Sequence, residues 1–254
     1  MKILVYLKAY DKVKWEFLEE VLYRKGFAEK WIQWINESVR CGRVCIDLNG
    51  DKGEFFRSYK GLRQGDPLSP LLFNLVADAL SEMLSRACAT GIINGLVPNL
   101  VEGGLSHLQY ADDTVILLQY SPEILRNIRL ILSSYEVMSG MKINYEKSEI
   151  FSIGLDEEEI LLATNILGCK VGSLPMRYLG MPVSSAKISK TQLGYVSDKI
   201  EKRLGTWQCE YLSSEGRSSL IDSCLSSVPL YTMGVYQLYE GYFQKIDAIR
   251  ERFY

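Results

Sequence analysis

Tyr110-Ala111-Asp112-Asp113 places two adjacent carboxylates in a short polar break between apolar runs at 105–110 and 114–120. The pattern predicts a β-hairpin whose tight turn carries both acids. A turn fixes their position and leaves them open to solvent and ions. Adjacent like charges repel, and a cation between them relieves the cost. Hard divalent ions such as Mg²⁺ take oxygen ligands of this kind. A plain solvated Asp-Asp turn reads the same way, and the tetrapeptide taken alone favours that plainer reading.

Other reactive residue types gather in three further segments. Lys8-Ala9-Tyr10-Asp11-Lys12-Val13 directly follows an apolar run. Gly61-Leu62-Arg63-Gln64-Gly65-Asp66-Pro67-Leu68-Ser69-Pro70 leads into a long apolar-periodic stretch. Ser139-Gly140-Met141-Lys142-Ile143-Asn144-Tyr145-Glu146-Lys147-Ser148 is followed later by Tyr178-Leu179-Gly180-Met181-Pro182. Read residue by residue, Tyr10 is an ordinary core tyrosine, and Arg63 and Lys147 are solvated surface cations.

The elements that must position these groups can be read from periodicity. Residues 3–7 form a continuous apolar run and predict a buried strand. Asp11 is a candidate cap for a helix over 13–23. A second helix spans 29–40, with Trp31, Trp34, Ile35 and Val39 as its expected inner face. Residues 43–48 and 54–59 predict a hairpin about Asn49-Gly50-Asp51. An irregular segment at 61–70 precedes a helix from 70 to about 86. After the acidic hairpin come a helix at 122–138 ending at Gly140, a strand at 148–153, and a helix at 156–167. That last helix opens on four acids, Asp156 to Glu159, which complement the helix dipole and read as structural. Two further amphipathic helices span 190–204 and 214–225, with Pro229 beyond. The fold class is α+β up to about residue 185 and all-helical from 186 to 254.

Composition narrows the class. The chain has 254 residues, of which 47% are hydrophobic and 24% charged, enough for one large domain or two small ones. A net charge of −2 counts against a complete nucleic-acid enzyme and leaves room for a local basic stripe. The six cysteines form no CxxC pair and His107 is the one histidine, which argues against a Cys/His zinc site. The thiols read as reduced and mostly buried, in an intracellular protein. No run reaches transmembrane length and no secretory signal is expected, so no membrane partner is implied.

Taken in order, the four segments strongly resemble the reverse transcriptase of plant LINE-type (non-LTR) retrotransposons. The resemblance runs from about Lys8 to the C-terminus. It includes thumb-like phrases at Lys202-Arg203-Leu204, Trp207, Leu212 to Arg217 and Ser226 to Tyr231. It implies a polymerase palm-like antiparallel sheet flanked by helices (1–185), followed by a helical thumb-like region (186–254). It also implies an RNA-directed DNA polymerase that acts on an RNA template, a DNA primer and dNTPs, with Mg²⁺ as cofactor and a nuclear location. Such chemistry is an in-line phosphoryl transfer in which the enzyme mainly positions reactants and neutralises charge. In polymerases two metal ions held by carboxylates do this. By the resemblance, Asp112 and Asp113 are the catalytic metal ligands. Tyr10 lies beneath the incoming sugar, and Gln64 and Gly65 touch the template base and nucleotide. Arg63 and Lys147 contact phosphate, Lys147 also donating a proton to the leaving pyrophosphate. Tyr178, Leu179 and Gly180 belong to the primer-contacting hairpin.

The match fails at one place. The family's first catalytic aspartate lies six positions before the last Asp of its KAYD segment, which here is Val5. The acids typical of that strand are replaced by Val5 and Leu7. Asp11 is a poor substitute, because six extended residues span roughly 20 Å. The family's endonuclease, fingers and more C-terminal parts have no counterpart. The expectation is a truncated, degenerate copy with little polymerase activity; a different upstream sequence carrying the Asp is the competing account. Two other readings are a non-catalytic nucleic-acid-binding remnant, with a surface around Gln64, Tyr178 and Lys187 to Lys190, and a mobile-intron maturase with a similar palm.

Overall fold

The computed structural model describes residues 2–7, 9–99, 101, 104–189, 192–205 and 212–254. They fall into two compact units, 1–172 and 173–254. The division lies ahead of the 185/186 boundary expected from sequence, so the hairpin at 176–183 goes with the second unit.

The first unit opens with strand β1 (Lys2–Leu7), a short helix α1 (Ala9–Lys12), α2 (Trp15–Arg24) and α3 (Glu29–Arg40). Four two-residue strands follow: β2 (Arg43–Val44), β3 (Asp47–Leu48), β4 (Asp51–Lys52) and β5 (Phe56–Arg57). Then come α4 (Ser69–Ala89), β6 (His107–Tyr110), β7 (Asp113–Ile116) and α5 (Pro122–Ser139). The unit closes with β8 (Lys142–Ile143), β9 (Glu149–Ile150), α6 (Glu157–Leu167) and β10 (Lys170–Val171).

The central sheet runs β10-β9-β1-β7-β6, with β8 also paired to β1. All pairings are antiparallel except β10 with β9, which is parallel. β1 is therefore a middle strand, in keeping with its unbroken apolar run. The core joins α2, α4 and α5 to the sheet through Leu18, Phe73, Val76, Leu80, Ile116, Ile128 and Leu132. Tyr135 is fully buried there, and its hydroxyl donates to the Val76 carbonyl at 2.9 Å. Burying so polar a tip demands such a partner.

Helix ends mostly follow the expected signals. Gly140 closes α5 at φ 78°, and Asp156 caps α6 in a reciprocal capping box with Glu159. Several expectations need correction. Asp11 lies inside α1, and Lys14 sits at the α2 N-cap without a side-chain cap. In α3 the buried positions are Ile32 and Ile35, while Trp34 is 56% exposed beneath the Lys30 ammonium. A cation over the ring face offsets part of that exposure. The strand at 148–153 shortens to Glu149–Ile150. Of Cys41, Cys45, Cys88 and Cys169, only Cys169 is buried.

The second unit holds β11 (Met176–Tyr178), β12 (Met181–Val183), α7 (Tyr195–Gly205), α8 (Ser214–Leu220), α9 (Val228–Met233) and α10 (Glu240–Phe253). The expected helix at 190–204 begins later, at Tyr195, and Lys190 lies outside the described residues. The expected helix at 214–225 changes at Ile221 into a π-helical turn. Trp207 also lies outside the described residues. Its core is Leu193, Val196, Ile200, Leu225, Tyr242, Ile246 and Ile249.

Candidate active site

β6 and β7 form a two-residue hairpin closed by the pair Tyr110 and Asp113, with Ala111 and Asp112 in the turn. Ala111 takes φ 51°, the left-handed conformation such tight turns need. Asp112 is exposed and Asp113 half-buried. Burial, and then the Asp112 charge, raise the Asp113 pKa above its ordinary value. A carboxylate pair in this state gains from a cation.

Register fixes what stands beside it. Val5 of β1 is the direct cross-strand partner of Asp113. On its other edge β1 pairs with β8 through Tyr6 and Leu7, and with β9 through Lys2 and Ile3. The intervening turn bulges past Leu4 and Val5, and this turn carries Lys147. Its shape rests on Asn144, whose side chain and carbonyl accept from the Lys147 amide, and whose carbonyl also accepts from Ser148 Oγ at 2.7 Å. Tyr145 is fixed between Arg129, 4.2 Å over its ring, and Glu136, which accepts its hydroxyl. Burial and that carboxylate push the Tyr145 pKa up to about 12. Glu136 also accepts the Ile143 amide at 2.8 Å. Sequence reading missed the roles of Arg129, Glu136 and Tyr145. The i, i+7 spacing of Arg129 and Glu136 along α5 is the signal that could have pointed to them.

Tyr10, on α1 just past β1, stacks on Phe73 with ring centroids 4.5 Å apart. Its carbonyl accepts the Leu62 amide at 2.7 Å, and the Val13 carbonyl accepts the Gly61 amide at 2.8 Å. These bonds hold the 61–66 loop against α1. Gly61 sits at φ 90°, where a Cβ would come within 2.8 Å of the Asp11 carbonyl oxygen. Gln64 reaches Asp11 at 3.4 Å, and Gly65 is exposed at φ 87°. Arg63 turns toward α3 and donates to the Ser38 carbonyl at 3.2 Å. It fills the space over Gly42, where a Cβ would lie 1.5 Å from its Nη2.

The structure thus brings Asp112, Asp113, the Val5 position and the Lys147 turn to one part of the sheet, and Tyr10 to Gln64 and Gly65. Tyr178, Leu179 and Gly180 lie in the second unit, at the turn between β11 and β12. Leu179 and Gly180 both have positive φ, 51° and 80°, as a type I′ turn requires. The Leu179 carbonyl accepts from Tyr231 at 2.9 Å.

Among the described residues no group of three or more His, Cys, Asp or Glu side chains converges as a metal site would require. Two carboxylates are present where two ions need more, and the residue type across the sheet at Val5 supplies no oxygen. The donors do not fit a two-ion centre.

A family model described as reverse transcriptase (RNA-dependent DNA polymerase) matches residues 3–183. The chain is 34% identical over 112 residues to the retrovirus-related Pol polyprotein from type-1 retrotransposable element R2 of Nasonia vitripennis, covering 44% of this chain and 10% of that one. It is 23% identical over 232 residues to the transposon TX1 149 kDa protein of Xenopus laevis, covering 89% and 17%. The chain thus spans less than a fifth of the length of these relatives. Among solved structures, apo telomerase from Candida tropicalis, truncated from its C-terminal domain, shares the fold with a TM-score of 0.53 and 16% identity, over 74% of this chain and 34% of that one. The chain belongs to the reverse transcriptase family.

Proposed function

We propose that the chain is the palm of an RNA-directed DNA polymerase, with helical thumb-like elements, whose metal-binding set is one carboxylate short. The observation that carries this is the register of β1: Val5 stands beside Asp113, where a third carboxylate would complete the set. Mg²⁺ is the ion this hairpin suits, and the two remaining acids hold it weakly. Tyr10, Gln64 and Gly65 serve the incoming dNTP and template, with Arg63 at the base of their loop and Lys147 toward phosphate. Tyr178, Leu179 and Gly180 serve the DNA primer. The seat of action is nuclear, as the family resemblance implies.

Primer extension on an RNA template with Mg²⁺ tests this, comparing the unaltered chain with Val5→Asp. Extension by Val5→Asp alone supports the reading. Full extension by the unaltered chain would falsify the argument from the lost carboxylate. Extension by neither would leave the palm non-catalytic for reasons other than Val5.

A further inference from the structure

The ribbon made by β2 to β5 is exposed on every strand. The pairs Leu48 with Asp51 and Asp47 with Lys52 set one register, and Arg43 with Arg57 and Val44 with Phe56 set another, shifted by one residue. The Gly53 amide donating to Ile46 at 2.9 Å keeps the first register. Cys45 therefore faces both Glu54 and Phe55, which is a β-bulge. Its consequence is that Arg43 and Arg57 stand directly opposite each other. Like charges opposed across strands repel. Neither guanidinium has an ion pair among the described residues. Around them Phe55 is 64% exposed, Phe56 50% and Tyr59 89%, with Lys60 exposed beside them.

We propose that this ribbon is a contact for single-stranded nucleic acid, with a backbone phosphate bridging Arg43 and Arg57. Two guanidiniums offer forked donors that match phosphate oxygens. A bridging anion converts their repulsion into attraction. Exposed aromatic rings next to such a site stack bases without sequence preference. Of the acids of the ribbon, Asp47 and Asp51 lie toward its tip, and Glu54 lies at the bulge beside Phe55. The inference deepens the polymerase reading by adding a strand contact outside the carboxylate hairpin.

The test is fluorescence anisotropy of labelled oligo-U and oligo-dT, each about 12 nucleotides, on the full chain without metal or dNTP. Its failure therefore leaves the extension experiment untouched. Arg43→Gln with Arg57→Gln should weaken binding and make the salt slope shallower by about 0.7, for the one bridged phosphate's worth of single-strand counterions. The paired Arg→Lys variant should keep most of the slope, and Tyr59→Ala with Phe55→Ala should weaken binding with the slope unchanged. These are exposed positions, so matched Tm values control for folding. An unchanged affinity and slope in the paired Gln variant overturns the proposal. So does displacement of the oligonucleotide by polyglutamate at equal charge, which would make the surface a contact for an acidic protein.

Discussion

Val5 and Asp113 are direct partners across β1 and β7, one strand away from the turn that carries Asp112. A carboxylate introduced at Val5 therefore enters the site at a register position the backbone already supplies. Val5→Asp is expected to bind Mg²⁺ or Mn²⁺ roughly tenfold or more tightly than the unaltered chain, since carboxylate count sets affinity for hard ions. Without metal the variant should melt lower, because a third acid joins two others. Saturating metal should reverse that loss through binding to the folded state. Calorimetric titration and thermal melts check both; equal affinity in the two proteins would separate Val5 from the metal site.

Asp113 links stability to pH. Its folded pKa is raised, so the folded state holds the proton more tightly than the unfolded chain, whose value is near 3.8. The contribution is full below the unfolded value and is lost as pH rises through the folded one. Asp113→Asn stays neutral throughout. In metal-free buffer it should melt higher than the unaltered chain at pH 7, with the difference closing as pH falls toward 3.8. A gain that does not depend on pH would assign the effect to something other than the carboxyl.

Gly61 is constrained twice, by φ 90° and by the Asp11 carbonyl. Gly61→Ala should destabilise by at least about 1–3 kcal/mol, the usual range for a strained backbone site. Denaturant melts measure the cost. Faster hydrogen exchange at the Leu62 amide would report that the loop had come away from Tyr10.

Thr114, in β7 of the hairpin, is fully buried, and its hydroxyl has no hydrogen-bond partner among the described residues. An unpaired buried polar group is costly, and valine keeps the branched shape. Thr114→Val should raise stability by about 1 kcal/mol. A fall in Tm would show that the hydroxyl is satisfied after all.

The ribbon yields a corollary in the free protein. Arg57→Gln removes the repulsion of Arg43 and should leave Tm unchanged or slightly higher while weakening oligonucleotide binding. Melting curves with and without oligo-U separate the two effects.

The acidic hairpin, the Gly140 stop and the acidic start of α6 were legible because each depends on neighbours in sequence, while the reading took Asp156 as a first-turn acid rather than the cap it is. Trp34 was misplaced because one helix face carries Trp31, Ile32 and Ile35, and only packing decides which of its edges is covered. The Arg43–Arg57 pair was hidden for a different reason. Counting outward from Asn49-Gly50 puts Arg43 against Phe56, and only the bulge moves Arg57 into place. α10 shows apolar residues at Tyr242, Ile246, Ile249 and Phe253, a helical spacing that reading the sequence could have caught. The Lys147 turn depends on two strand fragments pairing with different halves of β1, which no local pattern announces.

Because β1 keeps its place between β7 and the β8–β9 side of the sheet, what the proposed carboxylate set lacks is a residue type rather than a strand. A valine codon ending in a pyrimidine becomes an aspartate codon by one base change at its second position. On the proposed reading, with such a codon at Val5, a full set of carboxylates is a single mutation away on an already prepared strand.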